Sequence, residues 1–282
     1  MSAVLEKGLT PAQVEEFREV GFIVVKGLIP TELMQPLQEG LERVIAKVKA
    51  NPDPFRTRYV SKERTDIWGV GDVFQSDLFE QAFADYLGHD RLLDSIGSIL
   101  GPEMRFWGGH ALWSPERETY DLIWHRDGDN ETYFDPTGNT THVQFNSALG
   151  PDHSFRAVAG SHRRPLTDEE RAVIGKGTGP LPGEVVGYCE PGDVLLMNAM
   201  AVHRGMSAPN AGRRTLHFNL QPNAEPHGGK STRTWMMEPG FLTQFPPRAQ
   251  ALFTNLIEFD RAHGYEPTTG KPEDKGKPQE KY

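Results

Sequence analysis

The sequence predicts a mainly β protein, a barrel-like double sheet with flanking helices. Three observations carry that reading. The first hundred residues hold apolar positions at helical spacing. From about residue 105 to 220 the chain holds short aromatic and β-branched runs separated by turns. Two histidines and an aspartate fall at the ends of such runs.

The elements follow in order. Thr10 is placed to cap a first helix, with Pro11 in its opening turn and Gly21 ending it. Phe22, Ile23, Val24 and Val25 form a strand candidate. A second helix starts at Pro30-Thr31-Glu32, and its Leu33, Leu37, Leu41 and Val44 recur on one face. Residues 79–100 read as a third helical region, stopped by Gly101-Pro102. Strand-like stretches follow at 105–113, 120–124, 141–149, 194–197 and 215–220. No Gly/Pro/Ser-rich linker divides the chain, so residues 1–266 read as one domain with a helical N-terminal part. Residues 267–282, rich in Lys, Pro, Gly and Glu, read as a disordered tail.

Composition narrows the function classes. Acidic residues outnumber basic ones 39 to 30, a formal charge of −9 that argues against a broad nucleic-acid surface. Cys189 is the single cysteine, so there is no intrachain disulfide. No signal-peptide pattern or membrane-length apolar run is present, and the expectation is a cytoplasmic protein without a membrane partner.

The chemistry is carried by His125, Asp127 and His203. On an extended segment, His125 and Asp127 point to the same side. Two imidazoles and one carboxylate can occupy one face of an iron(II) ion and leave three positions open. Alone, His-x-Asp reads more readily as a surface hydrogen-bonding pair. It gains force from the aromatic strand before it and the turn-strand unit that delivers His203. Cysteine ligands are lacking, which favours mononuclear iron over structural zinc. Arg214 lies eleven residues beyond His203. A 2-oxo acid that chelates iron needs a cation for its remote carboxylate, and a guanidinium supplies it bidentately. Strand alternation is read here as turning Arg213, the neighbouring competitor, to the other face. Arg126, between two ligands, is read as turned away into packing or an ion pair.

At this point the chain resembles the phytanoyl-CoA dioxygenase (PhyH-like) family of iron(II)/2-oxoglutarate-dependent oxygenases. The resemblance rests on Gly21-Phe22-Ile23-Val24-Val25, Trp124-His125-Arg126-Asp127-Gly128, Ala159-Gly160-Ser161-His162, Pro191-Gly192-Asp193, His203-Arg204-Gly205 and Arg213-Arg214-Thr215-Leu216-His217. It covers roughly residues 9–222. It implies a double-stranded β-helix, the jelly roll or cupin-like core. It also implies iron(II) on His125, Asp127 and His203, and 2-oxoglutarate on Arg214. Gln144 and Asn146 lie on a strand that often borders the family's cosubstrate site. The implied partners are O2 and a small-molecule substrate, and the leading outcome is hydroxylation of an unactivated C–H bond. Desaturation, epoxidation or ring closure in secondary metabolism is the alternative. Asp127 argues against a halogenase, which usually has a small residue there.

Departures exist: Ala159 stands where the family commonly has proline, and His153 stands at a glycine-like position. His110, Asp129, His153 and Trp235 are candidate substrate contacts. Each has a plainer reading, as a structural histidine, a solvent-exposed loop residue or an apolar residue buried against the barrel. A noncatalytic metal-binding or oxo-acid-binding module is the non-enzyme alternative. The expected substrate is a small, partly polar metabolite.

Overall fold

The computed structural model describes residues 8–226, 228 and 230–270. Helix α1 (Pro11–Val20) starts at a capping box. Thr10 Oγ1 accepts from the Gln13 amide, and the Gln13 side chain accepts from the Thr10 amide. Gly21 closes the helix at φ 92°, a left-handed conformation that glycine adopts without strain. Strand β1 (Phe22–Val25) and helix α2 (Thr31–Ala50) follow. The predicted third helical region is two helices, α3 (Gln81–Leu87) and α4 (Asp90–Leu100). The break falls at Gly88-His89, where the His89 ring accepts from the Arg91 amide and caps α4. A short pair, β2 (Thr57–Tyr59) and β3 (Ile67–Gly71), stands where no strand was predicted.

The β region contains β4 (Met104–Trp113), β5 (Tyr120–Asp121), β6 (Val143–Ala148) and β7 (Asp152–Val158). After helix α5 (Asp168–Val173) come β8 (Glu184–Cys189), β9 (Val194–Asn198), β10 (His203–Ser207) and β11 (Arg214–Pro222). Helix α6 (Pro247–Ala262) is the last. Seven strands form one sheet in the order β1-β9-β6-β11-β4-β3-β2, and four form a second in the order β5-β10-β7-β8. These two sheets with flanking helices are the double-stranded β-helix, the cupin-like core.

Alternation sorts the faces of the large sheet. Leu216, Phe218 and Leu220 of β11, with Val143 and Phe145 of β6, join the core built against the helices. That core includes Phe74, Phe106, Phe241, Phe245 and Phe253, whose rings meet edge-on or tilted. The opposite face looks toward the small sheet. Between the sheets lies a cavity of about 1580 Å³. A bulge shifts the β4–β11 register between Asn219 and Leu220, so that Gly108 and Phe106 are the partners and Trp107 is skipped. The phase of β4 changes there. Phe106 faces the core, as do Ala111 and Trp113, while Trp107, Gly108, His110 and Leu112 line the cavity.

Residues 267–270, at the start of the expected tail, are among the described residues. Thr268 bridges to Arg233, and its amide donates to the Thr232 carbonyl at 3.0 Å. Residues 271–282 lie outside the described residues. Among the described residues no helix is long and apolar enough to cross a membrane.

Candidate metal centre and cosubstrate cavity

His125 and His203 are brought together by backbone pairing. Each amide donates to the other residue's carbonyl, at 3.1 and 3.0 Å, in an isolated antiparallel bridge. The Asp127 amide donates to the Ala199 carbonyl at 3.1 Å, which holds the third residue at the same edge. The result places one ligand atom from each of His125, Asp127 and His203 within 4.8 Å of the others. His125 Nε2 is 3.5 Å from Asp127 Oδ1, and His203 Nε2 is 3.7 Å from Asp127 Oδ2. Cis ligands on one ion are about 3 Å apart for bonds near 2.1 Å. The side chains therefore fit a divalent ion after a small inward adjustment.

The donor chemistry also fits. His125 Nδ1 lies 2.7 Å from the Ile123 carbonyl, and His203 Nδ1 lies 2.9 Å from the Ala201 carbonyl. An Nδ1–H donating to each carbonyl fixes the neutral tautomer with its lone pair on Nε2, facing the ion position. Burial opposes ionisation of Asp127, but when no metal is bound and the His203 and His125 imidazoles carry a proton on Nε2, their charge outweighs burial and holds the carboxyl well below its usual range. Gln144 Nε2 donates to Asp127 Oδ2 and orients the carboxylate.

Arg214 is not at this cavity. It points to the helical side, forms an ion pair with Glu42 of α2, and its side chain is 32% exposed. Arg213 lines the cavity instead and is 4% exposed. Its Nε donates to Asp152 Oδ2 at 3.0 Å, and its Nη1 donates to the Tyr120 hydroxyl. Thr215 Oγ1 donates to the same Asp152 oxygen at 2.6 Å. The correction is one of phase. In β11 the core face is set by Leu216, Phe218 and Leu220, so the even positions, Arg214 included, face the helices. The odd positions Arg213, His217 and Asn219 line the cavity. The polar–apolar alternation from 215 to 221 carried this signal.

The other sequence candidates divide. Gln144, Asn146 and His110 line the cavity. Asn146 Oδ1 accepts from His217 Nδ1 at 2.6 Å, and the His217 ring stacks 5.7 Å from that of His110. Three candidates are not brought there. Asp129 is exposed and accepts from the Glu131 and Thr132 amides, a turn role. His153 is exposed on β7, in edge contact with Tyr188. Trp235 packs on the core with its ring 5.3 Å from Phe241. Arg126 is fully buried and donates to the carbonyls of Asn130, Ser161 and Arg164, a structural tie. Sequence reasoning set Arg213 aside on alternation and missed Thr215, Asp152 and Tyr120. Asp152 lies on β7, outside the strand-like stretches read from the sequence, and β7 pairs with β8 and β10, which are distant in sequence.

Buried imidazoles give the site a pH signature. Burial holds His142 down to about 4 and His217 down to about 3, against an ordinary 6.5. Between these values the unfolded chain binds protons that the native protein refuses. Stability is therefore highest above about pH 6.5 and falls as pH drops toward 4. The expected loss is on the order of 2 kcal/mol per imidazole at about pH 5. Urea midpoints of the metal-free protein at about pH 7 and pH 5 check it, and equal midpoints contradict it.

A cupin-like double sheet whose cavity carries a two-histidine, one-carboxylate donor set defines a class, the iron(II)/2-oxoglutarate-dependent oxygenases. The phytanoyl-CoA dioxygenase (PhyH) family model matches residues 17–216, and the chain belongs to that family. It is an oxygenase that uses iron(II) and 2-oxoglutarate and acts on a small metabolite. Similar solved structures include AviO1 from Streptomyces viridochromogenes Tue57, 22% identical, with 77% of this chain and 96% of that one covered at TM-score 0.60. HygX from Streptomyces hygroscopicus, with nickel and 2-oxoglutarate bound, is 23% identical over 82% of this chain and 94% of that one, at TM-score 0.56. EctD from S. alaskensis with bound Fe is 16% identical over 78% and 79%, at TM-score 0.58. At these identities the likeness is one of fold. No curated protein matches the chain by sequence.

Proposed function

We propose that the chain hydroxylates an aliphatic C–H bond of a small, partly polar metabolite, with His125, Asp127 and His203 holding iron(II) and Arg213 anchoring 2-oxoglutarate. The observation that carries the reading is the shared cavity. Both Nε2 atoms, the Asp127 carboxylate and the Arg213 guanidinium line one cavity. When bound, iron and 2-oxoglutarate supply the oxidation: 2-oxoglutarate and O2 give succinate and carbon dioxide, and one oxygen atom passes to the substrate.

The chain's own residues bind and orient. The Ile123 and Ala201 carbonyls keep both imidazoles in the ligating tautomer. Gln144 keeps the Asp127 carboxylate turned toward the ion position. Asp152 and Tyr120 hold the Arg213 guanidinium at the cavity wall, where it offers charge-assisted hydrogen bonds to the remote carboxylate. The Asp152 charge also makes burial of this arginine tolerable before the cosubstrate arrives. With Asp127 as a ligand, the position that a halide would need is filled. A hydroxylated product therefore suits the site better than a halogenated one. HygX, similar in fold, is described with 2-oxoglutarate bound, which supports the cosubstrate reading. A cytoplasmic location accords with the sequence.

Anaerobic optical titration tests the reading. Iron(II) followed by 2-oxoglutarate is expected to produce a metal-to-ligand charge-transfer band that requires both additions. Folded protein that binds iron yet gives no band contradicts 2-oxoglutarate chelation.

A further inference from the structure

Part of the cavity face of the large sheet is paved with uncharged hydrogen-bonding side chains. One row across the strands runs Gln144, Asn219, Gly108, and the next runs Asn146, His217, His110, Gly71. All but Gly71 line the cavity. Burial, and then the Arg58 and Arg56 charges, hold His110 well below its ordinary 6.5, and His217 is held down likewise. Both imidazoles are therefore neutral at neutral pH.

Three of these five polar side chains are paired. Gln144 donates to Asp127, and His217 to Asn146. The other two differ. Asn219 Oδ1 and His110 Nδ1 are buried without a hydrogen-bond partner among the described residues, and the residues are only 7% and 8% exposed. A buried polar group left unpaired opposes folding, and such groups are rare in native proteins.

The other ends of both side chains converge on a gap over Gly108. A Cβ there would lie 3.3 Å from Asn219 Nδ2 and 3.6 Å from His110 Nε2. Apart from its chain neighbours, no other atom of the described residues comes within 4 Å of that point. The φ of Gly108 is not left-handed, so the backbone does not call for glycine. At Gly71 and Gly69 the corresponding space is taken by arginine stems, with Arg56 Cδ 3.0 Å and Arg58 Cδ 3.3 Å from the Cβ positions. At Gly108 it is open. Gln144, which touches the Asp127 carboxylate, lies two strands away in the same row, about 10 Å at about 4.8 Å per strand.

The chemistry of the pair selects the group that fits. A carboxamide offers a donor and an acceptor, which a half-turn exchanges, and a neutral imidazole offers one N–H and one lone pair. A hydroxyl can donate to one side chain while it accepts from the other. A carbonyl or carboxylate only accepts, and an ammonium only donates.

We propose that Asn219 and His110 are specificity residues that seat a substrate hydroxyl over Gly108, with the carbon to be oxidised held toward the metal triad. The substrate class is then a neutral alcohol or polyol, and analogues lacking that hydroxyl are rejected. The proposal rests on the oxygenase reading above only for calling the ligand of this seat the substrate.

Full-length protein is loaded with zinc(II), a redox-inert stand-in for iron, and with 2-oxoglutarate. Heteronuclear NMR then follows the Asn219 carboxamide and His110 ring signals during titration with glycerol, acetone or propionate, probes that differ in their polar group. Glycerol is expected to shift both signals saturably, and acetone and propionate are not. Gly108→Ala, whose methyl fills the gap, abolishes the saturable shift, and Asn219→Leu abolishes it at the His110 ring. Without ligand, Asn219→Leu and His110→Phe leave the urea midpoint unchanged or raise it, because each removes an unpaired buried polar group. No saturable shift with glycerol, an equal response to acetone or propionate, a glycerol response that survives Gly108→Ala, or a lowered midpoint in both variants overturns the proposal. If the charge-transfer band fails, the oxygenase reading fails separately. The titration needs no turnover and is then repeated on metal-free protein, where the same outcomes decide it.

Discussion

Exchanging Asp127 for alanine abolishes 2-oxoglutarate turnover, by at least about a thousandfold, while the protein stays folded. The argument is one of ligand count. Two imidazoles remain, each tied through Nδ1 to a carbonyl, but the ion loses its only anionic ligand. Partners that merely orient a ligand typically cost 10- to 100-fold in affinity or activity, so loss of the ligand itself exceeds that range. Folding is spared because Asp127 faces the cavity, with its side chain 23% exposed, and its carboxylate supports no core contact. Succinate release and iron binding by the variant, with circular dichroism as the folding control, check the prediction. Wild-type turnover in the variant removes Asp127 from the metal site.

The second large effect separates two adjacent arginines. Arg213→Ala is expected to raise the 2-oxoglutarate KM by about 10- to 100-fold, as loss of a charge-assisted contact does. It also destabilises the protein by about 3–5 kcal/mol, because Asp152 is left buried without its cation. Arg213→Lys keeps a charge against Asp152 and isolates the binding defect from the folding defect. Arg214→Ala changes KM by less than about twofold and stability by less than about 1 kcal/mol, as expected for an exposed pair with Glu42. Steady-state kinetics and urea unfolding of the three variants decide the matter. A KM effect confined to Arg214 variants reverses the assignment.

These adjacent residues show where sequence reading stops. A basic pair after His203, at the start of a strand, is visible in the chain. Which member faces the cavity depends on the strand's phase, and a one-residue error exchanges the faces of every side chain. The apolar set Leu216, Phe218 and Leu220 held the phase, once one knows that the helices cover that face. At Trp107 even this rule fails, since the bulge changes the phase within β4. His110 reaches the cavity through that change.

What the sequence by itself determined is local. The Thr10 cap, the Gly21 stop, the apolar face of the second helix and the two-residue spacing of His125 and Asp127 follow from neighbours in the chain. Tertiary structure alone decided what depends on partners distant in sequence. The Asp152–Arg213 pair joins residues 61 apart, the Arg58 side chain needs the space above Gly69, and the metal ligands converge through a bridge between His125 and His203. Sheet pairing sets those juxtapositions, and the choice of pairing is made by burial of whole faces rather than by any short motif.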